Sequence, residues 1–365
     1  MKNDNAKNIK MIRAYRMYLL EARGLNDKSV VKMERAIHLY RDFTNDEDFK
    51  FFNSERAVRF KMLLRQKKHN GKPIATNSYR TYLIHLKVFF TWLCTQAGYK
   101  GGIRSDSLEY LTVNKKESRL ASQTTIKKFP MIEYIKELAA SVDTSTEVVL
   151  RNRALISFTF LTGMRDSAII SLPILSINDE ELYVVQDPKY GVNTKFGKTI
   201  YSKIFNFDQS LLQYFLDWFH YLKKKGFANT DPLFPRSKMK KESNNLSYQE
   251  SIEVETVFWE TTESMRKIFK GQCKLIGKEY YSPHRYRDAA IYYALRSART
   301  GEQIKAISQN FGHEDVATTL SVYAQLTPER QLDVLNQLNF KEEDIVSDEQ
   351  LLELLRKLLK EKNRK

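Results

Sequence analysis

Apolar residues recur at helical spacing along most of this 365-residue chain, and one stretch, Ile174 to Phe207, breaks that period. Helical stripes run through Ile9–Ala22, Val31–Phe43, Val58–Leu64 and from about Asn77 through Trp92 to Thr95. Asn26, Asp27, Asn53 and Ser54 stand where N-caps are needed, and Gly98, Gly101 and Gly102 are read as ending the fourth helix. Two further helices are expected over 130–172, with Pro130 opening the first and the very apolar NRALISFTFLTG closing the second. Then the period changes: ELYVVQ and TIYSKIFNF are β-like runs separated by the polar loop DPKYGVNTKFGK. Helix returns at Gln209–Lys224, and the polar stretch 236–251 reads as an exposed loop. Helices are expected at Ile252–Ile276, Arg287–Ser297, Glu302–Asn310, Ala317–Gln325 and Pro328–Leu338, with a leucine-striped one at Glu349–Lys362 that Ser347 and Gln350 would cap. The fold class is therefore mainly α with a small antiparallel β-sheet.

Charge divides the chain. Residues 1–120 carry 25 basic and 12 acidic side chains, and residues 51–100 alone carry 10 basic against 1 acidic. The remainder is close to balanced, although the whole chain is +16. A basic field concentrated on one helical bundle points to a polyanion, usually nucleic acid; the other reading is a basic surface kept for solubility. Arg59, Lys61, Arg65, Lys67, Lys68, Lys72, Arg80 and Lys87 are the candidates for DNA-backbone or major-groove contact. Polar, basic 103–129 reads as a linker between a helical domain over 1–102 and a second domain over 130–340, with a tail over 341–365. Two cysteines make no disulfide framework, no apolar run is long enough to span a membrane, and the N-terminus lacks a secretory pattern. A cytoplasmic, nucleoid-associated protein of a bacterium or archaeon is expected.

Three segments carry chemistry. In Leu161-Thr162-Gly163-Met164-Arg165-Asp166-Ser167 an arginine follows a sharp glycine turn. In Ser282-Pro283-His284-Arg285-Tyr286-Arg287-Asp288, His284 and Arg287 share one face of a helix start. Phe311-Gly312-His313 precedes Tyr323 by ten residues. Each alone has an ordinary explanation: a snorkelling arginine, a chance pair, one of 20 tyrosines. Together they suit phosphodiester transfer. Arg165 and Arg287 offer permanently charged forks for phosphate oxygens, and Tyr323 offers a phenol nucleophile. Two arginines on one phosphate replace a metal, so no metal and no cofactor are expected.

The order arginine, hairpin lysine, His-x-x-Arg, Gly-His, tyrosine resembles the catalytic set of the tyrosine recombinase (phage integrase) family. The matching stretches are LTGMRDSAI, NTKFGKTI, PHRYRDAAI and NFGHEDVATTLSVYA, within residues 130–330. NSYRTYLIHLKVFFTWL resembles the last helix of that family's core-binding domain. The resemblance implies a two-domain DNA clamp and a site-specific recombinase or integrase working through a 3′-phosphotyrosine intermediate; the linker and the 236–251 loop, which depart from the most compact members, favour a mobile element over a chromosome as host. It implies that Lys195 protonates the 5′ oxygen, with Lys198 as the competing lysine, that His284 assists proton transfer at the tyrosine, and that His313 hydrogen-bonds the phosphate. It implies a tetrameric synapse on duplex DNA, coupled through the C-terminal helix, with accessory DNA-bending or partner recombinase proteins. Two positions depart from the family pattern: Ala168 stands where a Glu is common, and Asp288 where a His is common. Asp288 could orient Arg287 through a salt bridge or weaken its hold on phosphate. A type IB-like topoisomerase or resolvase, and a catalytically silent DNA-binding factor on the same fold, are the alternatives. Relaxation of plasmid lacking any special site would favour the first; specific binding without covalent capture would favour the second.

Overall fold

The computed structural model describes residues 2–69, 71–113, 128–241 and 248–313, with Val316, Leu332 and Asn336 beyond them. Two compact units divide the chain, Met1–Ile126 and Lys127–Lys365. No helix among the described residues is long and apolar enough to cross a membrane.

The first unit is a helical bundle of α1 (Lys2–Met17, continued by a wider turn to Ala22), α2 (Asp27–Thr44), α3 (Ser54–Gln66) and α4 (Thr76–Leu93). Asn26 accepts from the Ser29 amide and Asn53 from the Arg56 amide, so both N-caps read from the sequence are present. The bundle closes on aromatic rings. Tyr40 packs edge-on against Phe60 and Phe90, and Phe52 stacks on Phe90 at 4.0 Å between centroids. Fully buried Asn8 donates to the carbonyls of Asp46 and Glu47 and accepts from the Phe49 amide, which satisfies the backbone of the turn between α2 and α3.

Three sequence expectations need correcting here. Helix α4 ends at Leu93, before the glycines. The pair β1 (Lys68–His69) and β2 (Lys72–Pro73) forms a minimal hairpin where no strand was expected. Residues 103–113 are not linker. Ile103, Leu108 and Leu111 are buried, and a 3₁₀ turn over Ser105–Leu111 lies on α3 and α4. Its apolar residues are too far apart to register as a period, but together they cover a bundle face. The rest of the expected linker, 114–127, lies outside the described residues.

The second unit is built round α6 (Glu147–Thr162), whose residues from Ala154 to Thr162 are all buried. Around it lie α5 (Ile132–Ala140), the short α7 (Asp166–Ile169), α8 (Gln209–Lys225), α9 (Glu263–Leu275), α10 (Pro283–Ser297) and α11 (Gly301–Asn310). The expected sheet is present as β3 (Ile177–Asn178), β4 (Tyr183–Gln186) and β5 (Ile200–Lys203), antiparallel in that order. Pro130 lies two residues before α5 rather than at its first turn. The stretch read as an exposed loop is instead a second hairpin, β6 (Ser237–Lys241) with β7 (Tyr248–Val254), and helix starts only at Glu263. Its lysines and glutamates hide the strand pattern, yet they pair across the hairpin, as Lys238 does with Glu253 at 3.3 Å. Glu147 anchors β7 by accepting from the Val254 amide at 3.0 Å and from Tyr221 at 2.6 Å. The helices expected at Ala317–Gln325, Pro328–Leu338 and Glu349–Lys362 lie outside the described residues.

Candidate active site

Helix α6 delivers the first arginine. It runs through the core and stops at Gly163, in the left-handed region with φ 56°. A Cβ there would stand 2.5 Å from the Phe311 ring and 3.0 Å from the Ala290 Cβ, so only glycine lets the chain turn against these neighbours. Met164 is buried behind the turn, and Arg165 opens α7.

Arg287 ties the distant segments together. It sits on α10 at 3% exposure, an uncommon burial for a guanidinium. Nη1 donates to the Gly163 carbonyl at 2.7 Å and Nη2 to the Phe311 carbonyl at 2.5 Å. Nη2 also lies 3.1 Å from His313 Nε2. The arginine thus joins the turn before Arg165 to the turn that carries His313, across 124 and 24 residues of chain respectively.

Gly312, at φ 64°, is the second obligatory glycine. A Cβ there would lie 2.6 Å from Ile200 Cδ1 of β5, and 3.6 Å from Arg165 Nη1. The Arg165 guanidinium therefore lies close against the turn that carries His313. The sheet is stitched to the same turn. Ser202 donates to the Asn310 carbonyl at 2.8 Å and accepts from Gln186 at 2.7 Å, while the Lys203 amide donates to Asn310 Oδ1. The loop between β4 and β5, which carries Lys195 and Lys198 on its surface, is thereby set in register with His313.

His313 records the convergence electrostatically. Its pKa is lowered to about 4, first by burial and then by the charges of Arg287, Arg165, Lys195 and His284. It is neutral at pH 7. Facing a guanidinium that can only donate, its Nε2 accepts, and Nδ1 carries the hydrogen. His284, at the start of α10, is exposed; its pKa is lowered by desolvation and by Arg287 and Arg285, with Asp288 and Asp166 opposing.

Five of the six catalytic residues expected from the sequence, Arg165, Lys195, His284, Arg287 and His313, come together. Tyr323 lies outside the described residues. Of the two roles left open for Asp288, orienting Arg287 or weakening its hold on phosphate, the first is filled by other groups. That guanidinium is oriented by two backbone carbonyls, while the Asp288 carboxylate is engaged by Arg285 and lies 3.9 Å from His284 Nε2. Ala168 is buried in the core beside the site. Asp166 pairs with Arg266 of α9 at 2.8 Å, a link the sequence reading did not contain because nothing in α9 marks Arg266 out from its basic neighbours.

The basic candidates of the first unit fall into two groups. Lys61 donates to the Thr112 carbonyl at 2.7 Å and Lys87 pairs with Glu109 at 2.8 Å, so both hold the 103–113 segment on the bundle. Arg59, Lys67 and Lys68 are exposed along α3 and its end, Arg65 lies over the Tyr79 ring, and Arg80 is half-buried on α4. The Lys72 side chain lies outside the description.

A model of the phage integrase family matches residues 131–330. The tyrosine recombinase XerD of Listeria monocytogenes serovar 1/2a is 23% identical over 334 residues, covering 90% of this chain and 98% of that protein. Among solved structures, the Tn1549 transposon integrase in complex with circular intermediate DNA aligns at TM-score 0.58 and 14% identity, covering 89% of this chain and 98% of the other. The XerH site-specific recombinase bound to palindromic difH substrate, in a post-cleavage complex, aligns at TM-score 0.59 and 15% identity, covering 87% and 81%. These structural likenesses concern the fold.

Proposed function

The chain belongs to the phage integrase family, the tyrosine recombinases, and on that premise we propose that it is a site-specific DNA recombinase whose Tyr323 forms a 3′-phosphotyrosyl link to cleaved duplex DNA. The observation that carries this reading is the meeting of Arg165, Arg287, His313 and Lys195 at one locus, with Arg287 held by two carbonyls. Preorganised positive donors stabilise charge that develops on non-bridging oxygens, and such electrostatic stabilisation is usually the largest catalytic contribution.

The steps follow from the residues. Arg165 and Arg287 hold the scissile phosphate, and His313 donates through Nδ1–H to a non-bridging oxygen. The Tyr323 phenol gives up its proton to His284, its oxygen bonds to phosphorus, and the P–O5′ bond breaks. Lys195 protonates the departing 5′ oxygen. The phosphotyrosyl bond conserves the energy of the broken strand, so a second 5′ hydroxyl can reverse the step without ATP. The likeness to XerD, XerH and the Tn1549 integrase supports duplex DNA as substrate. The exposed basic side chains of α3 are the proposed backbone contacts, with four protomers on two sites as the synaptic unit, joined through Glu349–Lys362. The family fold shared with a transposon integrase supports a mobile element as host.

The test uses a duplex carrying the ends of the element that encodes the chain, nicked just downstream of the cleavage position so that religation fails. The parent protein should give a covalent band on a denaturing gel, and Tyr323→Phe should give none. A native-gel shift with no covalent band from either protein would move the chain to a silent DNA-binding factor.

A further inference from the structure

Ser171, just past the one-turn helix α7, is 9% exposed, and its Oγ bonds in two directions. It donates to the Ser167 and Ala168 carbonyls, at 3.0 and 3.2 Å, within the helix that begins after Arg165. It accepts from the Asn193 amide at 2.8 Å, in the loop between β4 and β5. One oxygen therefore joins the element that presents Arg165 to the loop that presents Lys195, two residues after Asn193. The Ser167 hydroxyl adds a longer contact, 3.5 Å from the Asn193 carbonyl.

The residues on either side of Asn193 are fixed as well. Val192 is buried in the core, and the Thr194 amide donates to the Val192 carbonyl at 2.9 Å. Past Lys195 the backbone turns: Gly197 takes φ 64°, a left-handed angle, before Lys198. Lys195 thus follows the tethered residues directly, whereas Lys198 stands beyond that turn. The charge of Lys195 is among those that lower the His313 pKa, so the tethered lysine faces the site.

We propose that Ser171 is a positioning residue that fixes the loop so that Lys195, rather than Lys198, reaches the departing 5′ oxygen. The inference rests on the recombinase reading above. In the step, a Lys195 N–H bond breaks and the proton passes to O5′, which keeps the electron pair of the broken P–O5′ bond; the lysine is left neutral. Proton transfer requires donor and acceptor within hydrogen-bond reach. Holding the backbone two residues from the donor removes conformers in which the ammonium is out of reach.

The test compares two duplexes, one ordinary and one with sulfur in place of the bridging 5′ oxygen at the cleavage position. A thiolate departs without an acid, because a thiol has a pKa of about 8.5. Ser171→Ala should form the covalent protein–DNA adduct at least about ten-fold more slowly than the parent on the ordinary duplex. On the sulfur duplex it should lie within about two-fold of the parent, since the acid is no longer needed. A serine needed only for packing would give no such rescue. An equal loss on both duplexes, with DNA affinity and melting temperature as in the parent, overturns the proposal. So does rescue by sulfur of Lys198→Ala in place of Lys195→Ala. A loss that sulfur rescues in neither lysine variant would instead overturn the acid step of the recombinase reading.

Amide hydrogen exchange reads the tether with neither activity nor substitution. The Asn193 amide should exchange slowly in the parent protein, and exchange at the rate of an open loop amide overturns the proposal.

Discussion

Two glycines decide whether the chemistry-bearing residues can meet. Gly312 lets the chain pass between Ile200 and Arg165, and its left-handed φ costs an L-residue about 1–2 kcal/mol before any clash. In Gly312→Ala the methyl must displace Ile200 Cδ1 from 2.6 Å, and the φ of 64° strains the turn that carries His313. The variant should remain folded, lose about 2 kcal/mol in urea denaturation, and cleave nicked DNA at least about ten-fold more slowly. Parental cleavage by this variant would mean that the turn is not needed for alignment. Arg287 shows the same dependence from the other side. Two carbonyls stop its guanidinium from rotating, so its charge is presented in one orientation.

At the scale of elements, the sheet is small but it has one task. Three strands, two of them four residues long and one of two, carry the lysine loop and hold it to the end of α11. Ser202 is the central stitch: it is 1% exposed, donates to the Asn310 carbonyl and accepts from Gln186. Ser202→Ala leaves both partners unsatisfied and should cost about 1–3 kcal/mol. If the stitch sets the register of Lys195 against His313, cleavage should fall together with stability, and a 5′-thiolate leaving group, which needs no acid, should restore most of the rate. Failure of the thiolate substrate to restore it would place the defect elsewhere than at Lys195. The second hairpin was hidden from sequence for a related reason. Its strands, SKMKK and YQESIEV, are dominated by polar and charged residues, and Glu147 of α6 fixes the end of the second by accepting from the Val254 amide.

For the whole molecule the first consequence is electrostatic. Most of the +16 charge lies within residues 1–120, so DNA affinity should fall steeply with salt, linearly on logarithmic axes, as counterions are released. Arg59→Glu with Lys67→Glu should weaken binding about equally on specific and non-specific duplex, since phosphate contacts carry no sequence information. Lys61→Glu should behave differently: it breaks the bond to the Thr112 carbonyl and should lower the melting temperature of the chain. Equal salt slopes for parent and the α3 double variant would remove α3 from the DNA interface.

Much was legible in the sequence because it is local. Helical periodicity, the caps at Asn26 and Asn53 and the change of period after Ile174 each depend on residues within a turn or two of each other, while the arginine, lysine, histidine and tyrosine motifs were legible through their order along the chain. Tertiary structure decided what depends on approach between distant segments. It moved 103–113 from linker to bundle, because three scattered apolar residues gain burial only when α3 and α4 are already side by side. It gave Asp288 to Arg285 and His284 rather than to Arg287, because helix geometry places residues three and four apart on one face and the neighbouring residue on another.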